Sequence, residues 1–354
     1  MKIRKLNESE LLSRLEPGYE MLPPLVVRRR LTLDPKDRAD ARLELGWRDE
    51  SSVFAFVIEA KTQSTPLMVQ AAITQARAMA RGNELPMILV PYLSPERLEE
   101  LERAGISGVD LCGNGVVVVP GRLFVMRSGN PNCYRESRPL NNPYRGRSAM
   151  VARMLLMRPL WQSLTQLLEA IQQAGTELSL PQASKAVQAI EGDMIVSKSG
   201  GAITLRERLS LLDKLGKEWR KPLIRGRQAL RLPPGKEFAR TLSFNPLLKW
   251  AVTGESSASR YVMFSQGGPR RIAVSSLPLA LTLLGGVLEP VPSFADVELL
   301  ETEETGFFFA NEVDESGVRW ANKLQAWLEL QSGDARQQDA ARDLRNLILR
   351  EVKA

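Results

Sequence analysis

The stretch Val53-Phe54-Ala55-Phe56-Val57-Ile58-Glu59-Ala60-Lys61 decides how the first part of this chain folds. Its apolar, β-branched and aromatic residues predict a buried central strand. The strand leads directly into a glutamate and a lysine, and burying these charges is costly unless each has a partner. Because side chains alternate along a strand, Glu59 and Lys61 share one face and Ala60 lies on the other. These two charges are therefore the first candidates for a functional site.

An aspartate on the preceding strand would complete this group. Asp40 stands immediately before residues 41–45, where apolar and charged side chains alternate as in a strand. Two carboxylates and a lysine that meet at one point form a site for a divalent cation and a phosphodiester, since Mg²⁺ prefers carboxylate oxygens. The sequence therefore predicts Asp40 and Glu59 as metal ligands, with Lys61 as a catalytic partner. The alternative is an ion pair between Glu59 and Lys61, with Asp40 in solvent.

The composition limits the chemistry that this chain can perform. Its 354 residues are enough for two or three domains. It has no histidine, which excludes Ser-His-Asp hydrolases, Cys-His hydrolases and histidine metal sites. Two cysteines are too few for a disulfide framework or a four-ligand zinc site. No segment has the length and apolarity of a signal peptide or a membrane span, which predicts a cytoplasmic protein with no membrane partner.

The net charge of +7 is distributed unevenly along the chain. Residues 121–160 contain eight arginines, among them Arg145 and Arg147, and the single acid Glu136. Residues 281–318 contain nine acids and no lysine or arginine. The basic section predicts a bound polyanion, and the acidic section predicts a different role. Solvated arginine-rich loops are the alternative explanation for the basic section.

A second candidate site follows the Pro-, Asn- and Arg-rich residues 131–147, which indicate a linker. Helices are predicted at 148–157, near 164–171 and at 179–190, followed by a hairpin around Ser199-Gly200-Gly201. Three helices and a hairpin describe a winged helix, whose third helix enters the major groove of DNA. The residues predicted to contact DNA are Gln182, Ser184, Lys185 and Gln188 of the third helix, Lys198 of the hairpin, and Arg145 and Arg147 of the linker.

The opposite face of the third helix is predicted to face a core through Leu180, Ala183, Val187 and Ile190. The alternative is a helix–hairpin packing unit with an ordinary polar face. Beyond it, the basic residues 206–240 predict a continued helical connection. The last section predicts strands and helices, namely strands at 261–264, 271–274, 297–300 and 307–310 and helices at 320–330 and 339–350.

The first part of the chain resembles the PD-(D/E)xK nuclease fold. The resemblance covers about residues 25–92 and is carried by Asp40, by Glu59-Ala60-Lys61, and by a following helix that contains Gln70 and Gln75. It implies that the acids bind Mg²⁺ and that the lysine orients the attacking water or stabilises the phosphate. A bound magnesium ion lowers the pKa of its water and neutralises developing charge, which agrees with that implication.

Most of the chain resembles the AbiEi-type antitoxins and transcriptional regulators of type IV toxin–antitoxin systems. The nuclease-like domain and three short motifs carry this resemblance, namely Ala183-Ser184-Lys185-Ala186-Val187-Gln188-Ala189-Ile190-Glu191, Thr253-Gly254-Glu255 and Leu324-Gln325-Ala326-Trp327-Leu328-Glu329-Leu330. It implies promoter binding by the winged helix and neutralisation or repression of a partner, such as a cognate toxin. A homodimer is a further expectation.

The predicted fold class is α/β plus α+β in several domains. A PD-(D/E)xK-like mixed sheet is expected in 1–130, a linker in 131–147, a winged helix-turn-helix with a basic helical extension in 148–240, and an α+β domain in 241–354. The predicted function is that of a transcriptional regulator bound to double-stranded DNA. One alternative is an Mg²⁺-dependent endonuclease for phage defence or restriction, targeted by its winged helix. The other is a protein-interaction module whose acidic last third binds a basic partner.

Overall fold

A computed structural model describes residues 6–34, 37–134, 142–233, 237–264, 267–285, 287–291 and 293–350. The chain is a mixed α/β protein that divides into two compact units, residues 1–140 and 141–354. Glu136 and two of the eight arginines noted above, Arg135 and Arg138, lie outside the described residues.

The first unit is built on a seven-stranded mixed sheet. Its elements are α1 (Glu8–Leu12), β1 (Leu25–Leu31), β2 (Ala41–Trp47), β3 (Val53–Ala60), α2 (Pro66–Met79), β4 (Leu85–Val90), α3 (Pro95–Arg103), β5 (Ser107–Asp110), β6 (Gly115–Val119) and β7 (Leu123–Arg127). The strands follow chain order across the sheet. Neighbouring strands are antiparallel except that β4 is parallel to both β3 and β5.

The two faces of this sheet have separate cores. Phe56 and Ile58 of β3 are fully buried in the core that includes Leu11 of α1. On the other side, α2 and α3 pack against Ile88 of β4. The predicted strand at β3 is therefore confirmed. Strand β5 was not predicted because it is short and contains Gly108, where an added Cβ would lie 2.6 Å from a Leu101 methyl of α3.

The second unit begins with helices and a small sheet. Its first elements are α4 (Ala149–Met157), β8 (Leu160–Trp161), α5 (Leu164–Gln173), α6 (Leu180–Gly192), β9 (Val196–Ser199), β10 (Ala202–Leu205) and α7 (Arg208–Glu218). Strand β10 lies between β8 and β9 and is antiparallel to both. The sequence predicted only a turn at β8, since a two-residue strand has no periodicity to detect. The three predicted helices and the hairpin are confirmed.

Helix α6 packs Ala183, Val187 and Ile190 into one core with α4 and α5. The prediction that Leu180 also faces this core is wrong, because 48% of its surface is exposed in the first turn of the helix. Ala186 is buried in its place. The polar face of α6 is thus the one opposite this core.

The rest of the second unit forms another seven-stranded sheet with helices around it. Its elements are β11 (Gly226–Arg231), α8 (Phe238–Ser243), β12 (Trp250–Val252), α9 (Glu255–Ala258), β13 (Arg270–Val274), α10 (Leu277–Leu284), β14 (Glu289–Pro290), β15 (Val297–Glu301), β16 (Glu312–Val313), β17 (Arg319–Trp320), α11 (Lys323–Leu330) and α12 (Ala335–Arg350). The strand order is β14-β11-β15-β13-β12-β17-β16.

Three predictions for this part of the chain are wrong. A helical connection was expected over 206–240, but the helix ends with α7. Residues 226–231 instead form β11, which pairs with β14 and β15. Residues 261–264 form no strand, although Val262 and Phe264 pack against the helical core. The run 307–310 is also not a strand, since Thr305–Phe308 is a 3₁₀ helix.

Candidate functional site

The sheet of the first unit brings Asp40, Glu59 and Lys61 together. Ala41 pairs with Ile58 in the β2–β3 ladder, so Asp40 lies beside the end of β3. An oxygen of the Asp40 carboxylate accepts a hydrogen bond of 2.7 Å from the backbone N–H of Ala60. The ammonium of Lys61 donates to a carboxylate oxygen of Glu59. The structure therefore contains the ion pair of the alternative interpretation, with an aspartate next to it.

Burial determines the electrostatics of this cluster. Glu59 is only 4% exposed, and this burial raises the pKa of its carboxyl group, because desolvation disfavours the charged form. The hydrogen bond from Lys61 opposes the rise, and the negative charge of Asp40 adds to it. A cation that bound between the two carboxylates would relieve both the repulsion and the desolvation.

An arginine that the sequence analysis overlooked holds the loop in front of Asp40. The guanidinium of Arg42 donates to Asp37 at 2.8 Å, to Glu84, and to the backbone carbonyl of Met79 at 3.0 Å. Hydrogen bonds from Arg42 and the Ala39 backbone lower the pKa of Asp37 to about 2. Arg42 was missed because it was interpreted only as a charged position in an alternating strand. Its contacts tie Asp37, three residues before Asp40, to Glu84 and to the end of α2.

The donor set at this site is small but suits one magnesium ion. Among the described residues, no group of three or more His, Cys, Asp or Glu side chains could hold a metal. Magnesium is usually bound by one or two carboxylates, with water and substrate phosphate completing its shell. Asp40 and Glu59 supply two such carboxylates. They therefore fit Mg²⁺ better than a metal that needs a full protein cage.

The outward face of α6 carries free polar side chains. Lys185 and Gln188 are exposed, and Ser184 is partly exposed. Neither Lys185 nor Gln188 has a side-chain hydrogen bond or ion pair with any part of the chain that the structure describes. Gln182 differs, because its side-chain oxygen accepts 3.0 Å hydrogen bonds from the backbone and the hydroxyl of Ser179. This pairing caps the helix and leaves only the Gln182 amino group for other contacts.

The hairpin next to α6 is tight and basic. Gly200 and Gly201 have φ angles of +57° and +87°, which suit a two-residue turn that side chains disfavour. Lys198 lies 3.5 Å from Glu191 in an ion pair. Arg206, which the sequence analysis did not select, is exposed and donates to the Ser197 hydroxyl at 2.8 Å. Its only sequence signal was its place at the start of a basic section.

The described arginines of 142–160 differ in their availability. Arg153 is buried and donates to Gly306 and to the side chain of Gln325, and burial lowers its pKa to about 10. Arg145 forms a 2.7 Å ion pair with Glu218. Arg147 is exposed and has no partner within the described ranges. Of the two linker arginines predicted to contact DNA, Arg147 is thus the one available.

The acidic section also has internal partners. Glu298 forms ion pairs of 3.4 Å with both Arg227 and Arg271. The Glu303 carboxylate accepts two hydrogen bonds from Arg225, at 2.6 and 2.8 Å. The β11–β15 and β13–β15 ladders bring these acids to arginines of neighbouring strands. Two of the nine acids of this section, Glu298 and Glu303, are therefore paired with arginines of the same unit.

No helix in the ranges that the structure describes is long and apolar enough to cross a membrane. Comparisons with protein-family models, with curated proteins and with solved structures found no match. The side chains of this chain are therefore the basis for assigning a function.

Proposed function

We propose that this protein binds double-stranded DNA through the outward face of α6 and the β9–β10 hairpin. The observation that carries the proposal is the state of Lys185 and Gln188, which are exposed and unpaired among the described residues while the opposite face of the helix is core. The order α4-β8-α5-α6-β9-β10 supports it, because a winged helix has three helices and a hairpin in this order.

The side chains suit both kinds of contact that DNA recognition needs. A glutamine such as Gln188 can form two hydrogen bonds with an adenine in the major groove. The ammonium of Lys185 suits a phosphate or a guanine edge, and Lys198, Arg206 and Arg147 suit phosphates beside the helix. The Gly200-Gly201 tip has no side chains to obstruct a close approach to the DNA backbone.

The biological role that we propose is transcriptional regulation. The resemblance to AbiEi-type antitoxins supports promoter binding, with a cognate toxin as the protein partner. A homodimer would let two α6 helices read two half-sites one helical turn apart. The ion pairs of Glu298 and Glu303 within the unit weaken the competing proposal of a module that binds a basic protein, because these acids already have partners.

Fluorescence anisotropy with a random-sequence duplex at low salt tests DNA binding. We expect Lys185→Glu/Gln188→Glu to weaken binding at least tenfold, because two contacts worth about 1 kcal/mol or more each are lost and repulsion is added. Lys217→Glu/Ser210→Glu is the control, since it changes the charge equally on exposed positions of α7. Equal affinities of the two double variants would contradict the proposal.

A second candidate function is magnesium-dependent cleavage of DNA. The specific observation in its favour is the convergence of Asp40, Glu59 and Lys61 at the ends of adjacent strands. Asp40 and Glu59 would hold the ion, which when bound supplies an acidified water and neutralises phosphate charge. Lys61, released from Glu59, would hydrogen-bond the attacked phosphate. The order α1-β1-β2-β3-α2-β4 supports this candidate, because it is the element order of the PD-(D/E)xK fold.

Incubation of the purified protein with plasmid DNA and Mg²⁺ tests this candidate. We expect cleavage by the wild type and none by Glu59→Ala or Lys61→Ala. Lys217→Ala should cleave as the wild type does, which controls for a nonspecific effect of substitution, and the loss of cleavage in the two inactive variants, purified in the same way, excludes a contaminating nuclease. Cleavage that persists in both Glu59→Ala and Lys61→Ala would contradict this candidate function. Absence of cleavage by the wild type would also contradict it, and the Glu59–Lys61 pair would then have a structural role only.

A further inference from the structure

The second unit contains a cleft that neither proposed activity uses. Its volume is about 480 Å³, within the range of sites for small organic ligands. One wall is the segment 219–224 that follows α7, and the other walls come from β11, β13 and the end of α11. The cleft lies outside α6 and the β9–β10 hairpin.

Three cations line this cleft, and they are only partly neutralised. Arg227 and Arg271 share one carboxylate, Glu298, at 3.4 Å each. Lys221 is exposed and has no ion pair within the part of the chain that the structure describes. Glu298 is the one carboxylate that pairs with these three cations among the described residues, so Lys221 is left to contact an anionic group of a ligand.

Two acids also line the cleft, but both are already bound. Glu255 accepts hydrogen bonds from the backbone of Gly267 and the side chain of Gln337. Glu329 accepts hydrogen bonds from Thr253 and, at 2.9 Å, from Gln325. Burial raises the pKa of Glu329, and its hydrogen bonds and the nearby charge of Arg271 oppose the rise. Neither acid forms an ion pair with Arg227, Arg271 or Lys221 among the described residues, although the charge of Glu329 offsets part of that of Arg271.

An apolar surface lies next to these charges. Trp219, Leu223, Ile224 and Phe307 are among the residues that line the cleft. Leu223 is 77% exposed. A bound ligand would remove this apolar side chain from water, which is favourable. Flat aromatic groups favour contact with such a surface, through apolar burial and through stacking on an indole ring.

We propose that this cleft binds a small anion that carries a planar aromatic group. Its phosphate or carboxylate would contact Arg271, Arg227 and Lys221, and its ring would lie against Trp219 and Leu223. Gly254 favours a close approach, because it has a φ angle of +63° and no side chain between Arg271 and Glu329. A nucleoside monophosphate and an aromatic carboxylate share this chemistry.

Isothermal titration calorimetry with the full chain tests the site. The probes are AMP, UMP and indole-3-acetate, compared with adenosine and inorganic phosphate. We expect at least one of the three aromatic anions to bind about tenfold or more tightly than both adenosine and phosphate, since charge and ring contribute together. Tighter binding of AMP or UMP would identify a nucleotide site, and tighter binding of indole-3-acetate a carboxylate site.

Two variants locate the binding. Lys221→Gln and Arg271→Gln should each weaken the best probe by about tenfold, because each removes a charge-assisted contact. Arg225→Gln should leave the affinity unchanged, since Arg225 pairs with Glu303 and does not line the cleft. Lys221 is exposed, so its substitution does not endanger folding. The proposal is overturned if no aromatic anion binds, or if the best probe binds all three variants as it binds the wild type.

Discussion

Lys185 of α6 and Lys61 after β3 are both lysines in candidate nucleic-acid sites, but their surroundings differ. Lys185 is exposed and unpaired among the described residues, whereas the side chain of Lys61 is 18% exposed and is paired with the buried Glu59. A phosphate can reach Lys185 without any rearrangement. A metal and a phosphate can use the first-unit cluster only after the Glu59–Lys61 pair separates. The proposed α6 site therefore needs no rearrangement, whereas the proposed site at the cluster requires the Glu59–Lys61 pair to separate.

The difference predicts separable effects on cleavage and binding. Lys61→Ala should lower magnesium-dependent cleavage by about a hundredfold or more, because a donor aimed at developing charge is typically worth that much. The DNA affinity of the same variant should stay within about twofold, since binding is assigned to α6. Cleavage rates at saturating protein and anisotropy at low salt measure the two quantities. A parallel fall in both would mean that the cluster is part of the DNA-binding surface.

The stability of the first unit should depend more on the largely buried ion pairs of Arg42 than on the exposed ion pair of Arg48 with Glu20. Arg42→Met should lower the free energy of unfolding by about 2 kcal/mol, because the Asp37 carboxylate loses its nearest charged partner and keeps only Arg81, at 3.3 Å. Arg48→Met removes an exposed ion pair with Glu20 and should cost less than about 1 kcal/mol. Urea denaturation of both variants measures the contrast. Similar losses would show that the Arg42 network does not hold the loop before Asp40.

The pH dependence of stability should distinguish the two sites further. The folded pKa of Glu59 lies above its usual value of 4.5, so the folded state keeps this proton to higher pH than the unfolded state. Its contribution to stability is therefore present below pH 4.5 and is lost as the pH rises through the folded pKa.

Thermal melts from pH 4 to pH 8 measure this effect as a difference between variants. The melting temperature of the wild type should decline with rising pH relative to that of Glu59→Gln, which has no such proton to lose. Lys185→Gln in the α6 face should follow the wild-type curve, because Lys185 is exposed. A constant difference between Glu59→Gln and the wild type at every pH would contradict the burial of a titrating Glu59.

Much of the fold could be predicted from local sequence patterns. The apolar run of β3 and the alternating pattern of β2 predicted that both segments are strands, because such patterns bury at least one face of a strand. Ser179 and Pro181 predicted the start of α6 by helix capping. Strands β5 and β8 were missed, since segments of four and two residues are too short for periodicity.

The remaining errors concern contacts between distant parts of the chain. Residues 261–264 have the composition of a strand, but they pack against the helical core, which composition alone does not reveal. The acidic and basic sections looked like separate surfaces until β11, β13 and β15 placed Glu298 between Arg227 and Arg271. Arg153 was counted as part of a basic patch although it is buried. The distribution of charge along the sequence therefore predicted the charged surfaces poorly, because strand pairing brings acids and arginines from distant sections together.

The salt dependence of DNA binding tests most directly whether Lys185 of the α6 face contacts a phosphate of the bound DNA. The logarithm of the binding constant should fall linearly with the logarithm of salt concentration for the wild type. Lys185→Gln should reduce the slope by about one, because one phosphate contact is lost, whereas Lys217→Gln should leave it unchanged. Superimposed lines for the wild type and both variants would contradict the claim that α6 holds the DNA.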